Sequence, residues 1–288
     1  MNIIFFGSSD YCLPVINVLY QQFNLSTVIT KSISNPVSLF AEKKNITIFT
    51  PHNVAQLLEL KTKISSLKAK LAVVADYGLI IPQDIFQLPE FSTINIHFSR
   101  LPQFRGPSPV PQVILSGQTT SWVSLIKMTE KVDAGPIIKQ LEYQLNPQKV
   151  SARTLYEKLF HLISFDFPDI IKDYLSRKLV AKKQDEKKAS YTRKLTRQDG
   201  YLLFTDFRRA LLSKSADFPT YVERAVRAFD PWPGVWTILP SKKRLKIIKS
   251  HLENHKLIPD IVQLEGKKEV TFKQFLEGYP EVLNQIII

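Results

Sequence analysis

The chain of 288 residues contains one cysteine, Cys12. A single thiol excludes an intramolecular disulfide framework and a multi-cysteine zinc site. Cys12 falls in a helically spaced apolar stretch and reads as a small core residue. No apolar run reaches the roughly 18–20 residues that cross a bilayer, so no membrane partner is expected. The opening residues, Met1-Asn2-Ile3-Ile4-Phe5-Phe6-Gly7, lack a basic n-region. Neither a secretory signal nor an Arg-rich transit peptide is expected, and cytoplasm is the default compartment. Gly7-Ser8-Ser9-Asp10 lacks the second and third glycines of a G-x-G-x-x-G fingerprint, and no G-x-x-x-x-G-K-[ST] occurs. Dinucleotide-cofactor and ATP readings lose their main support. The five histidines are scattered along the chain, and no metal is expected.

Hydrophobic residues make up 44% of the chain and charged residues 23%, the balance of an ordinary globular protein. The net charge of +13 suggests a polyanionic partner. It is uneven. Residues 181–288 carry 21 basic and 13 acidic groups, net +8, against net +5 over the longer stretch 1–180. The C-terminal third is therefore expected to do much of the holding.

Apolar runs and helical periodicities alternate through the first half. Strands are expected at 2–6, 26–30, 46–49, 71–75, 93–98 and 122–128, with a further strand after Pro136. Between them lie helices at 11–22, 35–44 (opened by Asn35-Pro36 as N-cap and first helical residue), 52–67 and 109–115. A long helical region spans 150–178. This alternation predicts an α/β fold with an open, mostly parallel sheet, in which ligands bind beyond the carboxyl ends of the strands. From 181 the composition becomes polar and basic. We expect a catalytic domain at 1–180, a basic linker at 181–205 and a small β-rich domain at 206–288, with helices at 202–212, 221–229 and 271–277 and short strands at 235–239, 244–248 and 261–264.

The most informative stretch is Ile94-Asn95-Ile96-His97-Phe98, followed by Ser99-Arg100-Leu101-Pro102-Gln103-Phe104-Arg105-Gly106. Asn95 and His97 are two apart on a strand and so share a face, just before the chain turns. A lone Asn or His in this position more often caps the strand. Asp133, in the Gly/Pro-bounded turn Val132-Asp133-Ala134-Gly135-Pro136, is on its own most simply a turn former.

Together these segments resemble the folate-dependent formyltransferase family: Asn95-Ile96-His97, Ser99 to Pro102, Phe104-Arg105-Gly106 and Asp133-Ala134-Gly135. Further segments are similar to the branch of that family that acts on methionyl-tRNA. They are Phe6 to Asp10, Ala75 to Pro82, Tyr191 to Thr196, Arg227 to Gly234, and Gly266-Lys267-Lys268 with Gly278-Tyr279-Pro280. The resemblance covers nearly the whole chain. It implies a Rossmann-like formyltransferase domain plus an OB-like C-terminal domain. It also implies transfer of a formyl group from 10-formyltetrahydrofolate to the methionine of initiator Met-tRNA in translation initiation. A monomer is expected. The alternatives are a sugar-nucleotide N-formyltransferase and an inactive RNA-binding homologue.

By the same resemblance Asn95, His97 and Asp133 are the catalytic residues. Asn95 would donate to the developing oxyanion, an interaction worth about 3–4 kcal/mol. His97 would donate or relay a proton, and Asp133 would pair with it. Ser99, Arg100, Leu101 and Pro102, with Tyr77, Gly78, Leu79, Ile80 and Ile81, are expected to line the folate site. Arg105, Arg193, Lys194, Arg197, Lys242, Lys243, Arg244 and Lys246 are expected to contact tRNA. The sequence departs from the family pattern in two places. The segment after the second strand, Thr30 to Pro36, is short, with one basic residue, and few residues follow Gly234. A reduced C-terminal β domain is expected.

Overall fold

The computed structural model describes residues 1–287. The chain forms two compact units, one of residues 1–109, 120–144 and 156–192, the other of 110–119, 145–155 and 193–288.

The first unit holds β1 (Asn2–Phe6), α1 (Leu13–Gln22), β2 (Asn24–Ile29), α2 (Pro36–Lys43), β3 (Thr47–Phe49), α3 (Val54–Glu59), α4 (Lys61–Ser66), β4 (Leu71–Val74), α5 (Gln83–Phe86) and β5 (Thr93–His97). After α6 (Pro109–Leu115) come β6 (Thr120–Lys127), β7 (Ile137–Gln144) and the long helix α7 (Ala152–Leu175). The seven strands form one sheet in the order β3-β2-β1-β4-β5-β6-β7. The first five are parallel, and β6 and β7 add antiparallel to the end. Leu71 to Val74 are all buried, the continuous apolar run that a doubly covered parallel strand requires. Asn35 caps α2 through its side chain, accepting from the Ser38 N–H at 2.9 Å, with Pro36 at the first helical position. The single helix expected at 52–67 is instead two, broken at Leu60.

Parallel pairing sets Val74 beside Asn95, so the loop leaving β4 emerges next to the end of β5. Behind β5, Phe98 packs on Phe160 with ring centroids 4.6 Å apart and edge-on to Tyr156. This aromatic contact fixes the exit of the strand that carries His97.

The second unit contains α8 (Phe204–Leu212), α9 (Asp217–Ala228), β8 (Val235–Ile238), β9 (Arg244–Glu253), β10 (Lys256–Leu264), β11 (Glu269–Thr271), α10 (Phe272–Gly278) and α11 (Pro280–Ile287). It is the small β domain anticipated, a four-stranded antiparallel sheet in the order β11-β10-β9-β8. Its central hairpin is longer than the sequence suggested, because residues 249–253 also pair, with 256–259 and 261. Asn254 and His255 turn it with φ of 48° and 66°, the two left-handed residues of a type I′ hairpin. Along β9, Leu245 and Ile247 are buried while Arg244 and Lys246 point to the other face. The helix α11 had no counterpart in the sequence reading.

The segment 181–205, expected as a linker, divides between the two units after Thr192. Its first part is not a spacer. Lys182 pairs with Ile137 at the start of β7, and Gln184, Glu186 and Ser190 to Thr192 are hydrogen-bonded across the first unit. Polar contacts rather than apolar ones hold it, which is why its composition reads as solvated chain. Among the described residues no helix is long and apolar enough to cross a membrane.

Candidate active site

Asn95 and His97 leave β5 on one face, and the turn between β6 and β7 brings Asp133 to them. Asn95 Nδ2 donates to Asp133 Oδ1 at 3.0 Å. A carboxylate only accepts, so this contact fixes the amide orientation and leaves the second N–H of Asn95 for another acceptor. The backbone N–H of Gly106 donates to Asp133 Oδ2 at 2.8 Å. His97 Nε2 lies 3.0 Å from the Phe104 carbonyl oxygen, which can only accept, so Nε2 carries a hydrogen. Nδ1 faces Asp133 Oδ2 at 3.5 Å, longer than an ordinary hydrogen bond. It is the ring nitrogen placed to take up or release a proton. The side chains of His97 and Asp133 are only 6% and 11% exposed, so water screens this pair weakly.

Asp133 adopts the left-handed conformation, φ 51°, which a short polar side chain tolerates. The turn lies so close to β6 that a Cβ on Gly135 would stand 1.7 Å from the Lys127 carbonyl oxygen. Only glycine fits there.

Arg105 is corrected. Expected to touch tRNA, it has 0% exposure. Its guanidinium donates to Gln184 Oε1 from Nε and Nη2 (3.1 and 2.8 Å), to both Glu186 oxygens (3.0 and 2.7 Å) and to the Tyr191 hydroxyl (3.1 Å). The fork is fully engaged and has no face left for phosphate. Glu186 is itself 63% exposed, so the cover over Arg105 is one layer thick. The guanidinium holds the Glu186 carboxyl below the usual carboxylate range.

Several of the folate-lining candidates also point inward. Ser99 is buried and donates to the Gln103 carbonyl at 2.6 Å, and its own carbonyl accepts from the Ser124 hydroxyl. Leu101 is buried, with its carbonyl held by Gln140. Tyr77 and Ile81 belong to the core cluster around Phe6 and Phe86. Burial pushes the Tyr77 phenol pKa up. Arg100 lies over the Trp122 ring, 4.6 Å from its centroid. Gly78 and Ile80 stay at the surface, with Ile80 74% exposed, while Leu79 and Pro102 are half-buried. A cavity of about 680 Å³ opens beside the Asp133 turn, lined by other residues, among them Phe86, Ser92, Met128, Thr129, Glu130 and Ala134. Its volume suits a small-molecule ligand. None of these six was among the residues expected to line the folate site. Met128 and Thr129 stand just ahead of the Asp133 turn, which was the available signal.

The remaining basic candidates lie in the second unit. Arg193 is tied to Asp199, which also accepts from the Thr196 backbone. Arg193 holds the Asp199 carboxyl well below the usual range. Lys194, Arg197, Lys242 and Lys243 are exposed. Arg197, Arg244 and Lys246 line a second cavity, of about 430 Å³, together with Trp232 and Trp236. Trp232 is 54% exposed, and Arg197 sits over the Trp236 ring. Among the described residues no group of three or more His, Cys, Asp or Glu is placed to hold a metal ion.

The α/β sheet thus brings an amide, an imidazole and a carboxylate together at a strand end and turn, beside a cavity of small-molecule size, a candidate enzyme site. The formyl transferase family profile matches residues 15–168, and that of the formyl transferase C-terminal domain matches 217–259. The chain belongs to the formyl transferase family. Full-length relatives carry a more particular name. The methionyl-tRNA formyltransferase of Wolbachia pipientis subsp. Culex pipiens is 30% identical, with all of both chains covered. That of Dictyoglomus thermophilum is 27% identical over 97% of each chain. Among solved structures, the methionyl-tRNA formyltransferase from Clostridium thermocellum shares the fold at a TM-score of 0.64 and 20% identity, covering 92% of this chain and 98% of its own. An N-formyltransferase from Helicobacter canadensis, in complex with folinic acid and dTDP-3-aminofucose, shares it at 0.63 and 20% identity, over 88% of each chain.

Proposed function

We propose that this protein transfers a formyl group from 10-formyltetrahydrofolate to the amino group of methionine esterified to initiator tRNA. The observation that carries this reading is the convergence of Asn95, at 3.0 Å, and His97, at 3.5 Å, on the carboxylate of Asp133, from β5 and the neighbouring turn. Full-length similarity to proteins named methionyl-tRNA formyltransferase supports the acceptor.

In this proposal Asn95 uses the N–H that Asp133 leaves unused to stabilise the oxygen on which negative charge develops. Asp133 pre-aligns that amide, so no reorganisation is needed when charge appears. His97 takes the proton released by the attacking amine at Nδ1, where Asp133 Oδ2 can share it, and that proton is passed to nitrogen 10 of tetrahydrofolate as the donor's formyl C–N bond breaks, while Phe104 holds the opposite ring nitrogen. The formyl donor is expected in the cavity bordered by Phe86, Met128 and Ala134, whose last member adjoins Asp133. The cavity has apolar surface from Phe86 and Met128, hydroxyls at Ser92 and Thr129 and charged groups including Lys127 and Glu130 at its border, which fits a polar-edged ring system carrying a charged tail.

The RNA is proposed to meet Lys194, Arg197, Lys242, Lys243, Arg244 and Lys246. The net +8 of residues 181–288 favours a nucleic acid over an amino-sugar nucleotide, which presents only two phosphates. Trp232 and Trp236, set among these cations, offer faces on which an unpaired base can stack. The reading is tested by formylation of Met-tRNA with wild-type protein and with Asn95→Ala and His97→Ala. Each variant is expected to lose turnover and to bind tRNA as wild type does. Wild-type turnover in either variant would overturn the assignment.

A further inference from the structure

We infer that residues 184–192 form a strap that positions the reacting groups, with Gln184 and Arg105 as its positioning residues; this rests on the formyl-transfer reading above. Gln184 joins the two loops that carry the site. Its Nε2 donates to the carbonyls of Asp133 and Gly135, at 2.8 and 2.7 Å, across the left-handed turn. Its Oε1 accepts both nitrogens on one edge of the Arg105 fork. One side chain thus ties the turn bearing the carboxylate to the loop bearing the backbone partners of His97 and Asp133.

The loop 104–106 is divided between two tasks. Arg105 N–H donates to Ser190 O at 2.9 Å, Arg105 O accepts from Thr192 N–H at 2.7 Å, and Phe104 N–H donates to the Ser190 hydroxyl at 2.9 Å. These groups face the strap. Phe104 O and Gly106 N–H face the reaction, holding His97 Nε2 and Asp133 Oδ2. A shift of the strap would therefore move both the hydrogen-bond partner of the imidazole and that of the carboxylate. The approach is close, since a Cβ on Gly106 would meet Thr192 O at 2.5 Å. Glu186 closes the arrangement from the solvent side by pairing with both terminal nitrogens of Arg105.

The mechanical consequence is specific. Gln184 contacts neither the carboxylate of Asp133 nor the imidazole, so removing its donors leaves both groups chemically intact and only loosens their placement. Misplacement of about 1 Å far from the chemistry is enough to cost on the order of 10²-fold in rate. The effect should fall on kcat and leave KM nearly unchanged.

The test uses Gln184→Met and Glu186→Gln in the full chain. Gln184→Met keeps the length of the side chain and adds no charge but cannot donate to the two carbonyls. It is expected to lower kcat about 10²-fold and leave KM for Met-tRNA within about threefold. Glu186→Gln, a change at an exposed position that also borders the cavity proposed for the formyl donor, is expected to give a smaller loss of the same kind with KM for the donor within about threefold. The NMR signals of the His97 imidazole, assigned by their absence in His97→Gln, are read in both variants without substrate. Displaced His97 ring signals are expected. Wild-type kcat in Glu186→Gln, or unmoved His97 ring signals in either folded variant, would overturn the strap. That last readout stands even if wild-type protein formylates no Met-tRNA, so the two readings fail separately.

Discussion

Asp133 Oδ2 faces His97 Nδ1 at 3.5 Å while accepting the Gly106 backbone N–H at 2.8 Å. The carboxylate is thus held by the main chain on the same oxygen that meets the imidazole, and by Asn95 on the other. Replacing Asp133 by Asn keeps the size but puts an NH2 group where one of these two sets of donors must point, and removes the charge that shares the His97 proton. Steady-state formylation by Asp133→Asn should fall by about 10²–10⁴-fold in kcat. Retention of more than a tenth of wild-type turnover would remove Asp133 from the reaction.

Arg105 and the lysines at the β8–β9 turn should separate cleanly in RNA binding. Lys242→Ala and Lys243→Ala should each flatten the plot of log K for tRNA against log salt by about 0.9 if each neutralises a phosphate. Arg105→Ala should leave that slope unchanged. It should instead destabilise the protein by roughly 3 kcal/mol, because Gln184, Glu186 and Tyr191 lose a shared buried partner. A changed salt slope in Arg105→Ala would return that residue to the RNA surface.

Two glycine substitutions make opposite predictions. Gly106→Ala places a side chain at φ 106° and against Thr192 O, so it should cost more than the ~1 kcal/mol typical of such strain, and the thermal midpoint should fall. Gly278→Ala meets nothing within 4 Å and has no positive φ. It should be neutral or slightly stabilising. Equal midpoints for the two would mean that Gly106 is not constrained as described.

Cys12 should be inert while the protein is folded. Burial pushes its thiol pKa up to about 12, and its Sγ lies 3.1 Å from the Ala75 carbonyl. Iodoacetamide at pH 8 should label it only in denaturant. The folded form binds this proton more tightly than the unfolded chain, whose ordinary value is 9.0. The corresponding stability is complete below pH 9 and is lost as the pH rises towards 12. Rapid labelling under native conditions would show that Cys12 is accessible.

Much of the architecture was legible because parallel strands bury continuous apolar runs. Asn2–Phe6 and Leu71–Val74 could scarcely be anything else. Helix α2 announced itself through Asn35 and Pro36. The hairpin between β9 and β10 was underestimated because residues 249–258 mix His, Glu, Asn and Lys with few apolar positions. The signal for it lies in the turn residues, Asn254 and His255. The resemblance nominated Asn95, His97 and Asp133, and the structure brings them together. It misled for Arg105, because charge on a loop says nothing about which partners surround it. Here the partners, Gln184, Glu186 and Tyr191, lie about 80 residues away, in a segment whose composition reads as solvent-exposed linker. The folate-lining candidates Ser99, Leu101, Tyr77 and Ile81 were chosen by position in a motif, and burial turns them into the frame rather than the surface of the site.

The central claim is tested most directly by acceptor choice. Purified protein would be given 10-formyltetrahydrofolate with Met-initiator tRNA, elongator Met-tRNA or a dTDP-amino-sugar in parallel reactions, and formylated product measured in each. The account predicts formylmethionine on initiator tRNA and no formylated sugar. Formylation of the sugar alone would contradict it.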